Sequence, residues 1–400
     1  MSLILDPPAG STALVLGGGG ARGAYQAGVL RRIVRRRPDL HIPILTGISA
    51  GAINTMFLAA QPRSLASAIE GLAAMWCSLS PESVYRVDAG SLLRNVARWG
   101  WRLLSGGLGT GEHTRGLVDT APLSALLHDR LGVLEGGAIA GIERNIAGGW
   151  LRAVALSATS YSTGQSVTWV QGREGSLWQR PQRRSELTRL GIEHAMASSA
   201  LPLLFPAVRV ANEWYGDGGI RMVAPLSPAL HLGAARILTI STRYARSRAE
   251  ADISQIAGYP PPAQVLGVLY NAVFLDVIDQ DILRLELINR LLRQVPAERR
   301  GERRHVDILV LRPSRDLGRL AREYEPRLPG AFRFLTRGLG TRRTASPDVL
   351  SLLMFQRDYI EALIALGEQD AEREMERIDA FLAGEHIERP TRAVSEPVVG

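Results

Sequence analysis

LVLGGGGARGAYQAGVL, residues 14–30, joins a short apolar segment to four glycines, an arginine and a segment with helical spacing. The pattern predicts a buried strand at 12–16, a glycine loop and a helix at 24–37. A second strand at 42–46 and a second helix at 50–60 come after it. Strands that alternate with helices in this way predict a parallel sheet of the α/β class.

Further strand patterns extend this sheet well beyond the N-terminal half. They lie at 151–158, 166–170, near 208–215, at 236–241 and at 305–311. We expect a main domain at 12–228, an extension at 229–385 that completes the sheet and adds helices, and a disordered tail at 386–400.

Composition places the chain among globular proteins, since 46% of its 400 residues are hydrophobic and 22% are charged. Its 47 basic residues are all arginines and face 39 acidic ones, for a net charge of +8. Arginine binds phosphate well, so an anionic partner such as a membrane surface is weakly favoured. Coding bias in a GC-rich genome explains the missing lysines equally well, and nothing indicates nucleic acid.

Other features bear on the compartment. Cys77 is the only cysteine, which excludes an intrachain disulfide and a cysteine-ligated metal site. The N-terminus lacks the pattern of a secretory signal. The uncharged run 42–60 is long enough to span a membrane, but Pro43, Gly47 and Asn54 favour strand, turn and buried helix. We expect a soluble cytoplasmic protein that can act peripherally at membranes.

The glycine loop has two interpretations. Gly18, Gly20 and Gly23 match G-x-G-x-x-G between a strand and a helix, which is typical of a Rossmann dinucleotide site. Such a site also has an acidic residue at the end of the second strand, to bind the ribose. No acid stands there, and a nucleotide-binding or regulatory module is therefore the weaker interpretation.

The second strand leads instead into G-x-S-x-G, at Gly47, Ser49 and Gly51. At a strand-to-helix junction this pattern predicts a nucleophile elbow, with the serine hydroxyl projecting above the sheet edge. Loops after neighbouring parallel strands open on the same edge. The backbone N–H groups of residues 18–20, with that of Ala50, are therefore candidates for an oxyanion hole.

A nucleophilic serine needs a base, and two kinds of candidate exist. Asp217, in the stretch NEWYGDGGIRMVAPL, precedes Gly218 and Gly219, which leave its carboxylate uncrowded; alone, the pattern would favour an Asp-Gly hairpin turn. None of the histidines stands in a catalytic pattern. They are His41, His113, His128, His194, His231, His305 and His386.

GGGARG, GISAG and DGG in this order, with ASSALPLLFPAV at 197–208 before the last, resemble the patatin-like phospholipase family over residues 13–228. The resemblance implies a three-layer α/β/α fold with a mainly parallel central sheet and a C-terminal helical extension. It also implies a serine–aspartate dyad without histidine, in which Ser49 is the nucleophile and Asp217 the proton acceptor. Residues 18–20, including Gly19, together with Arg22 would form the oxyanion loop.

The activity implied is hydrolysis of phospholipid or lysophospholipid esters through an acyl-enzyme, with no metal or organic cofactor. An esterase, thioesterase or acyltransferase for smaller acyl substrates would use the same dyad. Arg22 has two open roles, as a brace for the loop in an ion pair or as a contact to phosphate. The sequence leaves head-group preference and oligomeric state open.

Two arginine-rich segments could meet a membrane. Residues 91–104 place leucine, valine and tryptophan on one helical stripe and arginines on another, which suits either a membrane interface or packing on the core. Residues 283–304 offer a second basic surface, which also suits a solvated helix face.

Overall fold

The computed structural model describes residues 11–385 apart from 62–63, 87–115, 117, 174–176, 255, 257, 302, 329, 331–332, 334–339, 342–343 and 345–346. The predicted amphipathic helix at 91–104 and the predicted tail at 386–400 lie outside the described residues.

Strands and helices alternate from the start of the described chain. The strands are β1 (Thr12–Leu16), β2 (Ile44–Ile48), β3 (Ala153–Ser160), β4 (Ser166–Gly172), β5 (Gln179–Arg180), β6 (Arg183–Leu187), β7 (Val208–Val210), β8 (Glu213–Asp217), β9 (Arg236–Ile240) and β10 (Asp307–Leu311). The helices before β9 are α1 (Gly23–Arg36), α2 (Ala50–Ala60), α3 (Leu65–Cys77), α4 (Pro81–Val84), α5 (Ala121–Leu131), α6 (Ala140–Ala147), α7 (Ile192–Ser198) and α8 (Ser227–His231). The later helices are α9 (Arg248–Ala251), α10 (Pro262–Phe274), α11 (Val277–Gln294), α12 (Leu317–Tyr324), α13 (Asp348–Leu353), α14 (Arg357–Arg373) and α15 (Met375–Ala383).

All the described strands belong to one sheet. Its order is β10-β9-β1-β2-β3-β4-β6-β5, and the first five of these strands are parallel to one another. β4 runs antiparallel to β3, and β8 pairs antiparallel with the end of β3. The predicted mainly parallel sheet is therefore confirmed.

Helices cover both faces of the sheet. Along β1, Leu14 and Leu16 join a core shared with α1 and α2, whereas Ala13 and Val15 join a second core shared with α8 and α11. Since side chains alternate across a strand, burial on both faces requires a helical layer on each side. The predicted three-layer α/β/α fold is confirmed.

Several predicted strands differ in detail. The strand predicted at 151–158 is Ala153–Ser160, and the strand predicted at 305–311 begins at Asp307. The second predicted strand begins later and extends to Ile48, because Gly47 and Ile48 still pair with β3. The single strand expected near 208–215 is a hairpin, β7 and β8, which turns at Ala211 with a positive φ of 50°. The uncharged run 42–60 forms β2 and α2, and among the described residues no helix is long and apolar enough to cross a membrane.

Helix α14, the second-last helix of the described chain, packs against α1, the helix that follows the glycine loop. The two backbones approach closely at Gly28 and Gly367. Arg31 pairs with Glu368 at 2.6 Å across this contact. The far end of the chain thus supports the helix that carries the glycine loop.

We predict that Gly367→Ala destabilises the protein. An added Cβ would lie 2.4 Å from the Tyr25 carbonyl oxygen, so the helices must separate, at a cost of about 1–3 kcal/mol. The matched control is Gly71→Ala on α3, where the nearest atoms lie 3.5 Å away and helix propensity favours alanine by ~1 kcal/mol. Urea unfolding measures both variants, and equal effects would contradict the close approach of α1 and α14.

Candidate active site

Ser49 occupies the junction between β2 and α2. Its φ of 57° and ψ of −129° are unusual for a residue with a side chain, as expected of a sharp strand-to-helix turn. A Cβ on Gly51 would lie 2.1 Å from the Leu16 carbonyl oxygen, and one on Gly47 would lie 2.4 Å from the Gly51 carbonyl oxygen. The two glycines of G-x-S-x-G therefore permit α2 to start directly against the sheet.

A hydroxyl from α7 fixes the backbone of this turn. Ser198 Oγ accepts the N–H of Ser49 at 3.0 Å and donates to the Ser157 carbonyl on β3 at 2.6 Å. Ser198 is fully buried, so these bonds have no competition from water. It lies in the ASSALPLLFPAV stretch, but no pattern in that stretch distinguishes it from the neighbouring serine.

Asp217 reaches the same sheet edge on the same side of β3 as β2, because β4 occupies the other side of β3 at Ala158 and Thr159. In the register of the sheet, Ile48 lies beside Ser157, and Asp217 lies beside Ala158, the next residue of β3. Ser49 follows Ile48 directly, so the end of β2 and the end of β8 meet along one side of β3, and the elbow lies beside the aspartate. The two predicted catalytic residues are brought together by this pairing.

The carboxylate of Asp217 is fully buried. Its Oδ1 accepts the N–H of Gly219 at 2.9 Å, and its Oδ2 accepts no well-formed hydrogen bond from the described residues. Burial raises the pKa of Asp217 to about 7, and the nearby Ser49 hydroxyl and the Gly219 N–H partly oppose that rise. The group is therefore a much stronger base than an exposed aspartate.

Two side chains orient the glycine loop. Gln26 Nε2 donates to the Gly17 carbonyl at 2.9 Å, and Thr242 Oγ1 donates to the Gly18 carbonyl at 2.7 Å. In a planar trans peptide the carbonyl and the next N–H point in opposite directions. The N–H groups of Gly18 and Gly19 are thus turned away from these donors, and neither has an acceptor among the described residues.

The loop lies directly against the elbow. A Cβ on Gly18 would come within 3.0 Å of Ser49 Cβ and 3.5 Å of Ser49 Oγ. Ala50 begins α2 and Gly23 begins α1, so both helix N-termini start at this edge. Gly218 and Gly20 permit close backbone contacts, with Ser157 and Leu352 respectively.

Arg22 is buried and directed at α13. Its Nη2 lies 2.6 Å from Asp348 Oδ1, and its Nε donates to Ser351 Oγ at 2.7 Å. Its backbone N–H donates to the Gly19 carbonyl at 3.0 Å. The structure therefore places the guanidinium in an ion pair that joins the glycine loop to a helix far along the chain.

A buried polar network behind the loop was not anticipated. Trp76 Nε1 donates to Asn54 Oδ1 at 2.8 Å, and Asn54 Nδ2 donates to Gln26 Oε1 at 2.9 Å. Asn54 and Gln26 are both fully buried. Gln26 and Asn54 could have been noticed in the sequence, because each is a polar residue on the inward side of a helix that is otherwise apolar there.

Two histidine rings face other groups. His194 Nδ1 accepts the N–H of Gly191 at 3.0 Å, and its ring meets Trp169 edge-on. His231 stacks on Trp178 with ring centroids 4.6 Å apart. His113 and His386 lie outside the described residues.

Ser49 also lines a pocket whose walls are mainly apolar. The pocket runs between α2, α3, α5 and the segment after α7. Its large apolar side chains include Ile53, Met75, Leu123, Leu201, Phe205 and Phe355. Such a lining suits a hydrocarbon chain.

The chain is similar to several solved structures of other proteins. VipD from Legionella pneumophila is 13% identical, with a TM-score of 0.32, and the match covers 89% of this chain and 68% of VipD. Human GIVD cytosolic phospholipase A2 is 12% identical, with a TM-score of 0.46, and the match covers 94% of this chain and 60% of the human chain. The chain thus corresponds to less than two thirds of the human protein's length.

No curated protein matches the chain significantly in sequence. The family model described as patatin-like phospholipase matches residues 14–230, more than half of the chain, and that range contains the glycine loop, the elbow and Asp217. The chain belongs to the patatin-like phospholipase family.

Proposed function

We propose that the chain hydrolyses carboxylic esters of phospholipids or lysophospholipids, with Ser49 as nucleophile and Asp217 as proton acceptor. Family membership supports lipid hydrolysis in general. The observation that carries the finer proposal is that a strained serine and a buried carboxylate with a pKa of about 7 meet at one sheet edge, beside an apolar pocket.

In the first half of the reaction, the Ser49 hydroxyl attacks the ester carbonyl while its proton passes to Asp217. The N–H groups of Gly18 and Gly19, with that of Ala50, stabilise the oxyanion that forms. Collapse of this intermediate breaks the ester C–O bond. The departing alcohol takes the proton from Asp217, and the acyl group stays on Ser49.

Deacylation repeats these steps with water. Asp217 accepts a proton from the water that attacks the acyl-enzyme, and Ser49 recovers its proton as the fatty acid leaves. Arg22 acts in this scheme as a brace, because its charge is matched by Asp348. No step requires a metal or an organic cofactor.

The burial of Asp217 explains how an aspartate can replace histidine as the base. A catalytic base works best when its pKa lies near the working pH. An exposed aspartate, with a pKa of about 3.9, holds a proton too weakly. Removal from water brings Asp217 into the useful range.

Lipid-product analysis tests the proposed activity. Wild-type protein and Ser49→Ala are each incubated with phospholipid, with lysophospholipid and with a soluble short-chain ester, and the released acids are identified. Release from the lipids that depends on Ser49 supports the proposal. Release from the short ester alone would favour the alternative of an esterase or acyltransferase for smaller substrates.

We predict that Ser49→Ala and Asp217→Asn each lower turnover at least about 10³-fold, since each removes a group that acts in every step. The matched control is Asp316→Asn, because Asp316 also accepts the N–H two residues further on, from Gly318 at 2.9 Å. Asp316→Asn should retain turnover. If a His194 or His231 variant were as inactive as Asp217→Asn, the dyad would be wrong.

We predict that kcat/KM rises with pH and levels off above about 7. Asp217 accepts a proton only when it is ionised, and its pKa is about 7, so activity should fall about tenfold per pH unit below that value. A pH profile on a soluble ester measures this dependence. An apparent pKa near 4 would mean that the base is an ordinary exposed carboxylate.

We predict that Ser198→Ala lowers kcat about 10²-fold, because the Ser49 turn loses the bond that positions it. The matched control is Ser185→Ala, since Ser185 Oγ also accepts an N–H and donates to a carbonyl, both of Trp178. Each variant should lose about 1–3 kcal/mol of stability. Equal kcat values for the two variants would show that the Ser198 bond is only structural.

A further inference from the structure

Helix α10 is apolar on its exposed side as well as on its buried side. Pro262–Phe274 contains no charged residue. Val265, Val268 and Leu269 lie at helical spacing and are 55%, 59% and 56% exposed. Scattered apolar residues are common on protein surfaces, but an uncharged helix with an exposed apolar stripe indicates an interaction surface.

Helix α11 continues the pattern with a second apolar stripe. Its inner face, which includes Ile282 and Leu285, is buried in the core beneath the sheet. Its outer face carries Leu283, Leu287 and Leu291, each about half exposed. The helix therefore presents leucines to both sides, although only one side has a partner within the described chain.

Arginines frame the outer stripe of α11. At about 100° per residue, Arg284 and Arg290 lie about 60° to either side of Leu287, whereas Glu286 lies about 100° round. Both arginines are exposed. Leucines flanked by arginines on one helix face are typical of helices that lie in a lipid interface, with arginine reaching the phosphates.

Two acidic residues in the first turns of α11 are engaged by groups other than the arginines of its outer face. Asp279 lies 2.6 Å from both Arg243 and Arg312, and Asp281 accepts the N–H of Leu226 at 2.9 Å. The segment 283–304 carries seven arginines and three glutamates. The segment that contains the outer stripe therefore has a net positive charge, which complements an anionic lipid surface.

The junction of α10 and α11 adjoins the candidate active site. Phe274 packs so closely on Gly219 that a Cβ there would lie 2.2 Å from the ring. Val273 and Val277 line a cavity together with Gly18 and Gly219. The junction therefore lies next to the loops that carry the proposed oxyanion donors and Asp217. From there α11 runs toward the start of β10, where Asn289 Nδ2 donates to the Val306 carbonyl at 2.8 Å.

We propose that the outer faces of α10 and α11 dock the protein onto an anionic lipid surface. The proposal rests on the proposed function in one respect: docking would bring the candidate active site to a lipid substrate. Docking itself requires no turnover, so it is measured separately.

The test is sedimentation of the full chain, as Ser49→Ala, with two kinds of vesicle. One kind is phosphatidylcholine and the other is an equal mixture of phosphatidylcholine and phosphatidylglycerol. We expect the anionic vesicles to bind at least about tenfold more tightly. Leu287→Gln with Leu291→Gln, and separately Arg284→Gln with Arg290→Gln, should each weaken that binding about tenfold or more.

Matched controls change similar residues on other faces. Leu177→Gln with Leu187→Gln removes two leucines that are equally exposed, and Arg319→Gln with Arg322→Gln removes two exposed arginines of α12. Neither pair should alter vesicle binding. Melting curves confirm that each variant is folded, and with Ser49 restored, turnover of a soluble ester should stay unchanged in the α11 variants.

Three results would overturn docking. They are no binding to anionic vesicles, equal loss in the test and control pairs, or self-association of the protein that the leucine pair abolishes, which would make the face a protein interface. A chain that binds no vesicle but still hydrolyses ester through Ser49 would refute docking and leave the proposed function standing. A chain that binds anionic vesicles but hydrolyses no ester with Ser49 present would support docking and refute the proposed function.

Discussion

The turn at Ser49 is the constraint on which the rest of the site depends. A residue with a side chain holds a positive φ there, which costs free energy that the surrounding structure must supply. Ser198 supplies part of it through the Ser49 N–H, and the glycines on either side allow α2 to lie against the sheet. The serine is thereby held at a helix N-terminus, where developing negative charge is favoured.

The buried carboxylate of Asp217 carries a similar cost. Because its pKa is higher in the folded protein than in the unfolded chain, ionisation opposes folding progressively as the pH rises from about 4 to about 7. Contacts around Asp217 offset this loss of stability. β8 pairs with β3, and Thr159 Oγ1 donates to the Asp217 carbonyl at 2.9 Å. In the proposed mechanism, the same desolvation makes the group basic enough to accept the Ser49 proton.

Local patterns in the sequence predicted the parts of the molecule that are themselves local. The strand, loop and helix from residue 12 onward, and the elbow before α2, follow from short-range periodicity and glycine spacing. The pairing of β8 with β3 could not be predicted, since it joins segments some sixty residues apart without a periodic signal. The ion pair of Arg22 with Asp348 also joins segments that are far apart in the sequence. Thr242 and Ser198 form hydrogen bonds with backbone groups, and no sequence motif marks a residue for that role.

The site of acylation tests the proposed chemistry most directly. The protein is mixed with an activated acyl ester and quenched in acid, and the peptide that contains residue 49 is examined by mass spectrometry. We predict that the acyl mass is on Ser49 and that Asp217→Asn prevents its formation. An acyl group on another residue, or turnover with no acyl-enzyme under rapid quenching, would contradict the role of Ser49 as nucleophile.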